Sequence, residues 1–343
     1  MKRRTGLAMA MLLAALSVTG CGGNTSKEEP AAEQKTEAAA QADGEEKSGG
    51  SDEVQWPTGA ITINVTGKAG GSTDLVTRTF ADYYSKVLGV PVVITNDDGI
   101  LQFQNTHDAK PDGYTMCVGA TGFLVYGYTG TLDFGLEGYD PISLISRDET
   151  FGLWVTKESG FQTLDDLVNY MKENPGKVNF GIKTATSVHL EAVGFLKAAG
   201  CEANVVDAGG DAERVTALLG GQIDVTIEPL GSMKGYLDEG QAICLGTFQK
   251  ESCELSPDIP TVYSQGYDFT FPANFQALML PPGVDPAIVE KASAAALEVL
   301  QNPEYEAAIN AMGAIVVPED YEQTNDYLKK ANELVGELVK DIL

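Results

Sequence analysis

Histidine is almost missing from this 343-residue chain: His107 and His189 are the only two. A Ser-His-Asp hydrolase needs an imidazole base in a recognisable frame, and neither a G-x-S-x-G elbow nor an H-E-x-x-H zinc motif occurs. Cysteine is sparse as well. Past Cys21 there are Cys117, Cys201, Cys244 and Cys253, with no C-x-x-C spacing, so no metal and no cofactor is expected. Cys117 and Cys244 sit in apolar, strand-like runs and read as small core residues, while a Cys244–Cys253 bridge stays open in an exported chain. Basic residues are the third shortage: 23 Lys and Arg face 49 Asp and Glu, a formal charge of −26. With no basic patch to oppose it, that balance excludes nucleic acid as a partner. It favours solubility, and an anionic ligand would need local compensation. Lastly, no apolar run after the first 20 residues approaches the ~20 residues of a membrane-spanning helix.

What is present begins at the N-terminus. Lys2, Arg3 and Arg4 precede a short apolar stretch and then Val18-Thr19-Gly20-Cys21. A basic region followed by a short apolar one is a secretory signal, and small residues before a cysteine match a bacterial lipobox. Residues 1–20 therefore read as a lipoprotein signal peptide, with Cys21 as the lipidated residue and an extracytoplasmic, membrane-anchored location. Cleavage removes three basic groups and no acid, taking the charge from −26 to −29. Residues 21–53 are mostly Gly, Ala, Glu, Gln, Lys and Ser without an aromatic, a composition that cannot bury a core and reads as a disordered tether. The remainder, 56–343, suits two α/β lobes better than one core.

Within it, apolar β-rich runs alternate with helical patterns. Strands are expected near 61–65, 92–95, 115–119, 153–156, 178–181, 223–227, 243–247 and 277–280. Helices are expected near 73–88, 163–174, 187–199, 211–219, 286–300, 303–312 and 319–341, with Thr163 and Asp166 spaced as a capping box. Such alternation implies parallel sheets covered by helices. At Gly70-Gly71-Ser72-Thr73-Asp74 the apolar period changes from two (Ile61, Ile63, Val65) to about 3.6 (Leu75, Val76, Phe80, Tyr83, Val87), which reads as strand, glycine turn, helix. A turn of this kind aims free N–H groups and the Ser72 and Thr73 hydroxyls at one point, where the helix dipole favours an anion.

Paired with Pro111-Asp112-Gly113-Tyr114-Thr115, that turn resembles the substrate-binding receptors of tripartite tricarboxylate transporters, the Bug-type receptors. The resemblance continues through Leu88-Gly89-Val90-Pro91, Pro175-Gly176-Lys177-Val178-Asn179, Gly220-Gly221-Gln222-Ile223-Asp224 and Pro281-Pro282-Gly283-Val284, covering nearly all of 56–343. It implies a type II periplasmic-binding-protein fold: two lobes, 54–155 with 266–343 and 156–265, joined by crossing strands. It also implies a monomeric receptor that captures a small carboxylate for the membrane subunits of a transporter. Two loops, 68–74 and 183–189, would hold the carboxylate. The site residues that follow are Lys68, Gly70, Gly71, Ser72, Thr73, Asp74, Lys183, Thr184, Thr186, Ser187, Glu228 and Asn274, with Asp74 expected to orient its loop and His189 to make a structural hydrogen bond.

Departures from the family pattern concentrate in these loops. Lys68 and Lys183 stand where small residues are usual, which suggests a second ligand carboxylate and hence a di- or tricarboxylate. Asn274 replaces a tryptophan, and Glu228 stands where Asp is frequent. Tyr126, Tyr128, Phe151 and Phe275 rank low as cleft residues, since a strand aromatic is more often core. A sensory receptor presenting its ligand to a signalling partner fits the same residues. An extracytoplasmic hydrolase would need a nucleophile–base pair that the two histidines do not frame, so the chain is not expected to be an enzyme.

Overall fold

Ile61, Ile63 and Val65 alternate with more polar neighbours and are fully buried, which makes the first strand the centre of a sheet rather than its edge. In the computed structural model, which describes residues 54–66, 69–97 and 100–340, this strand is β1 (Ile61–Thr66). The signal peptide, Cys21, the tether and Lys68 lie outside the described residues. The other elements of the first half are α1 (Ser72–Leu88), β2 (Val92–Asp97), α2 (Leu101–His107), β3 (Thr115–Ala120), α3 (Phe123–Tyr128), β4 (Asp140–Asp148), β5 (Gly152–Thr156) and α4 (Leu164–Glu173). Then follow β6 (Asn179–Ile182), α5 (Ser187–Ala199), β7 (Asn204–Asp207), α6 (Asp211–Leu219), β8 (Val225–Glu228), α7 (Leu230–Asp238), β9 (Ala242–Thr247), β10 (Asn274–Leu280), α8 (Pro286–Leu300), α9 (Pro303–Asn310) and α10 (Tyr321–Val339).

The strands form two five-stranded sheets, ordered β2-β1-β3-β10-β4 and β7-β6-β8-β5-β9. Within each, the β-α-β units pair in parallel, as expected: β1 with β2 and β3, β6 with β7 and β8. Neither sheet is wholly parallel, however. β10 runs against β3 and β4, and β5 runs against β8 and β9. The reason is the crossing of the chain. β5 and β10 each enter a sheet from the other lobe, so they insert between its strands from the opposite direction.

Because β5 already pairs in the second sheet, the lobe boundary we propose there lies at 149–151, ahead of residue 155. On the return, Val262 N–H bonds to Thr247 O and Phe271 N–H to Phe248 O, which keeps 248–271 on the second lobe. The proposed second boundary is therefore at 272–273. One apolar cluster runs across both crossings, from Cys117 and Leu144 through Phe275 and Leu328 to Phe180 and Leu190. The described cysteines 117, 201, 244 and 253 are free thiols, so Cys244 and Cys253 are not bridged.

Two sequence signals turn out to be structural. Thr163 and Asp166 form a reciprocal capping box on α4. In Pro111-Asp112-Gly113-Tyr114-Thr115, Gly113 has φ +80°, and a Cβ there would lie 2.5 Å from Ile288 Cγ2 and 2.6 Å from Trp56 Nε1. Asp112 accepts from Tyr114 N–H at 3.0 Å, and the Tyr114 hydroxyl meets Thr58. The motif thus locks the start of β3 against the N-terminal segment and α8.

Candidate functional site

The β1–α1 turn is built around one carboxylate. Asp74, the third residue of α1, is 2% exposed and uses both oxygens. Oδ2 accepts from Gly70 N–H at 2.7 Å and Arg78 Nε at 3.0 Å, while Oδ1 meets Asn96 Nδ2 and the Arg78 guanidinium at 2.9 Å. Burial pushes this carboxyl up, but the bonds from Arg78, Gly70 and Asn96 outweigh it and hold it below its usual range. Asp74 therefore fixes the turn and has no free lone-pair direction for a ligand, as expected of a loop-orienting residue. Ser72 and Thr73 occupy the first two helical positions after Gly71, and no side chain caps the helix. Both residues line a cleft of about 950 Å³.

Across that cleft stand Lys183, Gly210, Asp211 and Glu213 of the second lobe. The β6–α5 loop is held by one charge-assisted bond and one neutral bond. Thr184 N–H bonds to Asp207 Oδ2 at 3.1 Å, and the Thr186 hydroxyl donates to Lys183 O at 2.7 Å. Ala185 sits at φ +58°, the one left-handed non-glycine among the described residues. Thr186 thus braces its own loop with its only hydroxyl proton, and α5, like α1, starts without a side-chain cap. Lys183 is exposed. Hydrogen bonds from Thr184 and Gly209 hold the Asp207 carboxyl below its usual range, with the Lys183 charge adding to the effect. Burial lowers the His189 imidazole, whose Nδ1 lies 3.4 Å from Ala185 N. The N-terminus of α6 differs from the other two, because Glu213 folds back onto Gly210 N–H and neutralises it.

A polar chain joins the start of α5 to the start of β10. Ser187 Oγ donates to Asn274 Oδ1 at 3.2 Å, and Asn274 Nδ2 donates to Glu191 Oε1 at 3.1 Å. Beside this chain, Glu228 is fully buried and gripped by Arg214 through Nε at 2.7 Å and Nη2 at 3.1 Å. Arg214, 1% exposed, also reaches Asp211 and Gly209 O. Burial pushes the Glu228 carboxyl up and the Arg214 charge opposes it. Glu191 is pushed up to about 8 by burial, and Asp148 to about 6 by the same cause.

Of the residues expected from the sequence, Ser72, Thr73 and Lys183 share the cleft, with Gly71 and Asp74 at its edge. Gly70 is held to Asp74 at the turn. Ser187, Asn274 and Glu228 are tied into polar pairs within the protein and are not among the residues lining that cleft, and Thr184 and Thr186 act within their loop. Phe275 is core, Tyr126 packs on Phe103, and the Tyr128 hydroxyl bonds to Asn332 O. Sequence reasoning missed Arg78, Asp148, Glu191 and Arg214. The signal existed for two of them: Arg214 stands on the stripe with Val215 and Leu218, and Glu191 lies one turn from Ser187 and Phe195, so each is a charge on a buried helix face.

Comparison with known proteins agrees with this architecture. A UPF0065 protein of Bordetella pertussis is 30% identical over 246 residues, which is 70% of this chain and 76% of that one. A TctC solute binding protein from Polaromonas superposes with a TM-score of 0.73 at 19% identity, covering 84% of this chain and 100% of the other. An R. palustris protein solved with adipate gives 0.71 at 22% identity, covering 83% and 98%. Residues 76–343 match the family model described as "Tripartite tricarboxylate transporter family receptor". The chain belongs to that receptor family and carries its type II periplasmic-binding-protein fold.

Proposed function

We propose that this chain is a monomeric, lipid-anchored extracytoplasmic receptor that captures a small carboxylate between its lobes and delivers it to transporter subunits in the membrane. The observation that carries the reading is the uncapped start of α1, whose first residues Ser72 and Thr73 line the cleft. An uncapped helix N-terminus offers oriented donors and a partial positive charge, and hydrogen bonds to a carboxylate are about twice as strong as neutral ones. The uncapped start of α5 offers the same on the other lobe, whereas Glu213 already occupies that of α6. The R. palustris neighbour solved with adipate supports a carboxylate as the ligand class. Among the described residues no helix is long and apolar enough to cross a membrane, so attachment rests on Cys21 and its lipobox. Two acyl chains suffice for stable anchoring.

Titration calorimetry with a panel of four- to six-carbon mono- and dicarboxylates tests the site. Ser72→Ala and Thr73→Val should each weaken the best ligand roughly ten- to hundredfold, the range for a hydrogen bond to a charged group. Unchanged affinity in both would move the anion site elsewhere. For the anchor, Cys21→Ser should shift the protein from the membrane to the soluble fraction, and retention in the membrane would sink the lipoprotein reading.

A further inference from the structure

The start of α1 opens onto a second space besides the cleft already described. Ser72 lines both. Leu75 and Val76 follow Ser72 at i+3 and i+4, so the three share one face of the helix, and all line a cavity of about 560 Å³. The other lobe contributes Leu230 and Gly231 from the first turn of α7. Backbone meets backbone along this edge: a Cβ on Gly231 would lie 3.3 Å from Met312 O, and one on Gly313 3.4 Å from Gly231 Cα. The cavity therefore spans the two lobes, as the cleft does, and Ser72 belongs to both walls. Their linings differ. The cleft carries Asp74, Asp211 and Glu213 against Lys183. Among the described residues, Lys234 is the one charged side chain lining the cavity, and it is 63% exposed and 3.2 Å from Asp238. The rest of the lining is mostly apolar. Leu75 at 47% and Met312 at 40% exposed are large side chains left to water beside one concavity.

A concave, largely apolar space with a few polar groups at one end is how small-molecule sites are built, and covering exposed apolar surface drives binding. Resting on the carboxylate reading above, we propose that the ligand is a monocarboxylate with an apolar body. Its carboxylate sits at the start of α1, and its body lies in the cavity against Leu75, Leu230 and Met312. A second carboxylate has no comparable home. In the cleft it would face Asp211 and Glu213 beside Lys183. In the cavity it would give up water against leucine and methionine, with one exposed lysine to offset the loss. An apolar body makes the opposite exchange, because it covers Leu75 and Met312 of one lobe and Leu230 of the other at the same moment. The ligand then holds the lobes together by contact with both, and chain length rather than a second charge sets affinity. Lys183, which suggested a dicarboxylate from the sequence, lines the cleft and not the cavity.

Titration calorimetry on the ligand-free full chain tests this with two matched series, the straight-chain monocarboxylates from butanoate to octanoate and the dicarboxylates from succinate to suberate. Each methylene added to the monocarboxylate should tighten binding roughly three- to fourfold until the cavity is full. Hexanoate should bind at least about tenfold more tightly than adipate, whose far carboxylate would lie against the apolar lining. Leu75→Asn should cut the gain from butanoate to octanoate at least about threefold. Met312→Gln, on a separate segment, gives an independent arm with the same expected result. Both side chains are exposed, so neither variant threatens the fold. Ser72→Ala should instead weaken every monocarboxylate by a similar factor. Dicarboxylates that bind more tightly than monocarboxylates of equal length, or a length series that stays flat, would overturn the apolar body and leave the carboxylate receptor standing. So would a length gain untouched by both variants. Silence in both series would overturn the carboxylate reading together with it.

Discussion

The two walls of the cleft do the same job with different physics. On the first lobe, Asp74 gathers Gly70, Arg78 and Asn96 into a charged lock whose outer member, Arg78, is 47% exposed. On the second, the lock is sunk: Arg214 and Glu228 are 1% and 0% exposed and grip one another with two hydrogen bonds, while the β6–α5 loop is held by the Asp207 carboxylate, a bond within the loop and a left-handed alanine. The Asp74 carboxylate is buried but its partner Arg78 keeps half its surface in water, so the network stays open to salt. A pair buried on both sides has paid the full cost of desolvation, so its worth shows mainly when one partner is lost. The first wall should therefore be tuned by pH and salt, the second by packing.

The sharpest way to break this comparison is at the buried pair. Arg214→Met should destabilise the protein by about 3–5 kcal/mol by leaving Glu228 unpaired, and adding Glu228→Leu should recover most of the loss. Denaturant midpoints of the single and double variants check it, and a double variant no better than the single would mean that the pair is irreplaceable. Next comes the exposed lock. Asp74→Asn should cost about 1.5–3 kcal/mol, the range for hydrogen bonds to a charged group. Its pH signature has a definite sign. The folded pKa of Asp74 lies below the unfolded value of about 3.9, so its contribution is full above that pH and is lost as pH falls through the folded value. Wild type should lose stability through that acid window while Asp74→Asn loses less, and parallel curves from pH 2 to 6 would contradict the lock. The smallest effect is at the second loop. Ala185→Gly relieves a left-handed backbone and should stabilise by about 1 kcal/mol, offset in part by the entropy of glycine in the unfolded chain. A lower melting temperature would show that the alanine methyl is wanted there.

Legibility followed local pattern. α1 and α4, both strongly amphipathic, and the buried strands β1 and β3 were plain from periodicity and capping. β7 was not, because Asn204, Val205, Val206 and Asp207 form a short edge strand that buries little. β4 was missed as well, since seven of its nine residues are buried on both faces and the chain there shows no clean alternation. α3 is so apolar that its period is unreadable, and α2 is too short to display one. The antiparallel insertion of β5 and β10 was hidden for another reason: direction in a sheet depends on which lobe a strand comes from.

By itself the sequence determined the alternating β-α units, the glycine turn that opens α1, and the hydroxyls at its start, because each depends on neighbours within a helical turn or a strand. It also determined the family, through motifs spread in order along the chain. Only the tertiary structure decided that Asn96 closes the Asp74 lock, that Arg214 and Glu228 are partners, and that Asn274 joins Ser187 to Glu191. Those pairs join residues 14, 22 and more positions apart on different elements. Their chemistry is set by burial and by mutual charge, and neither exists until the two sheets are folded and crossed.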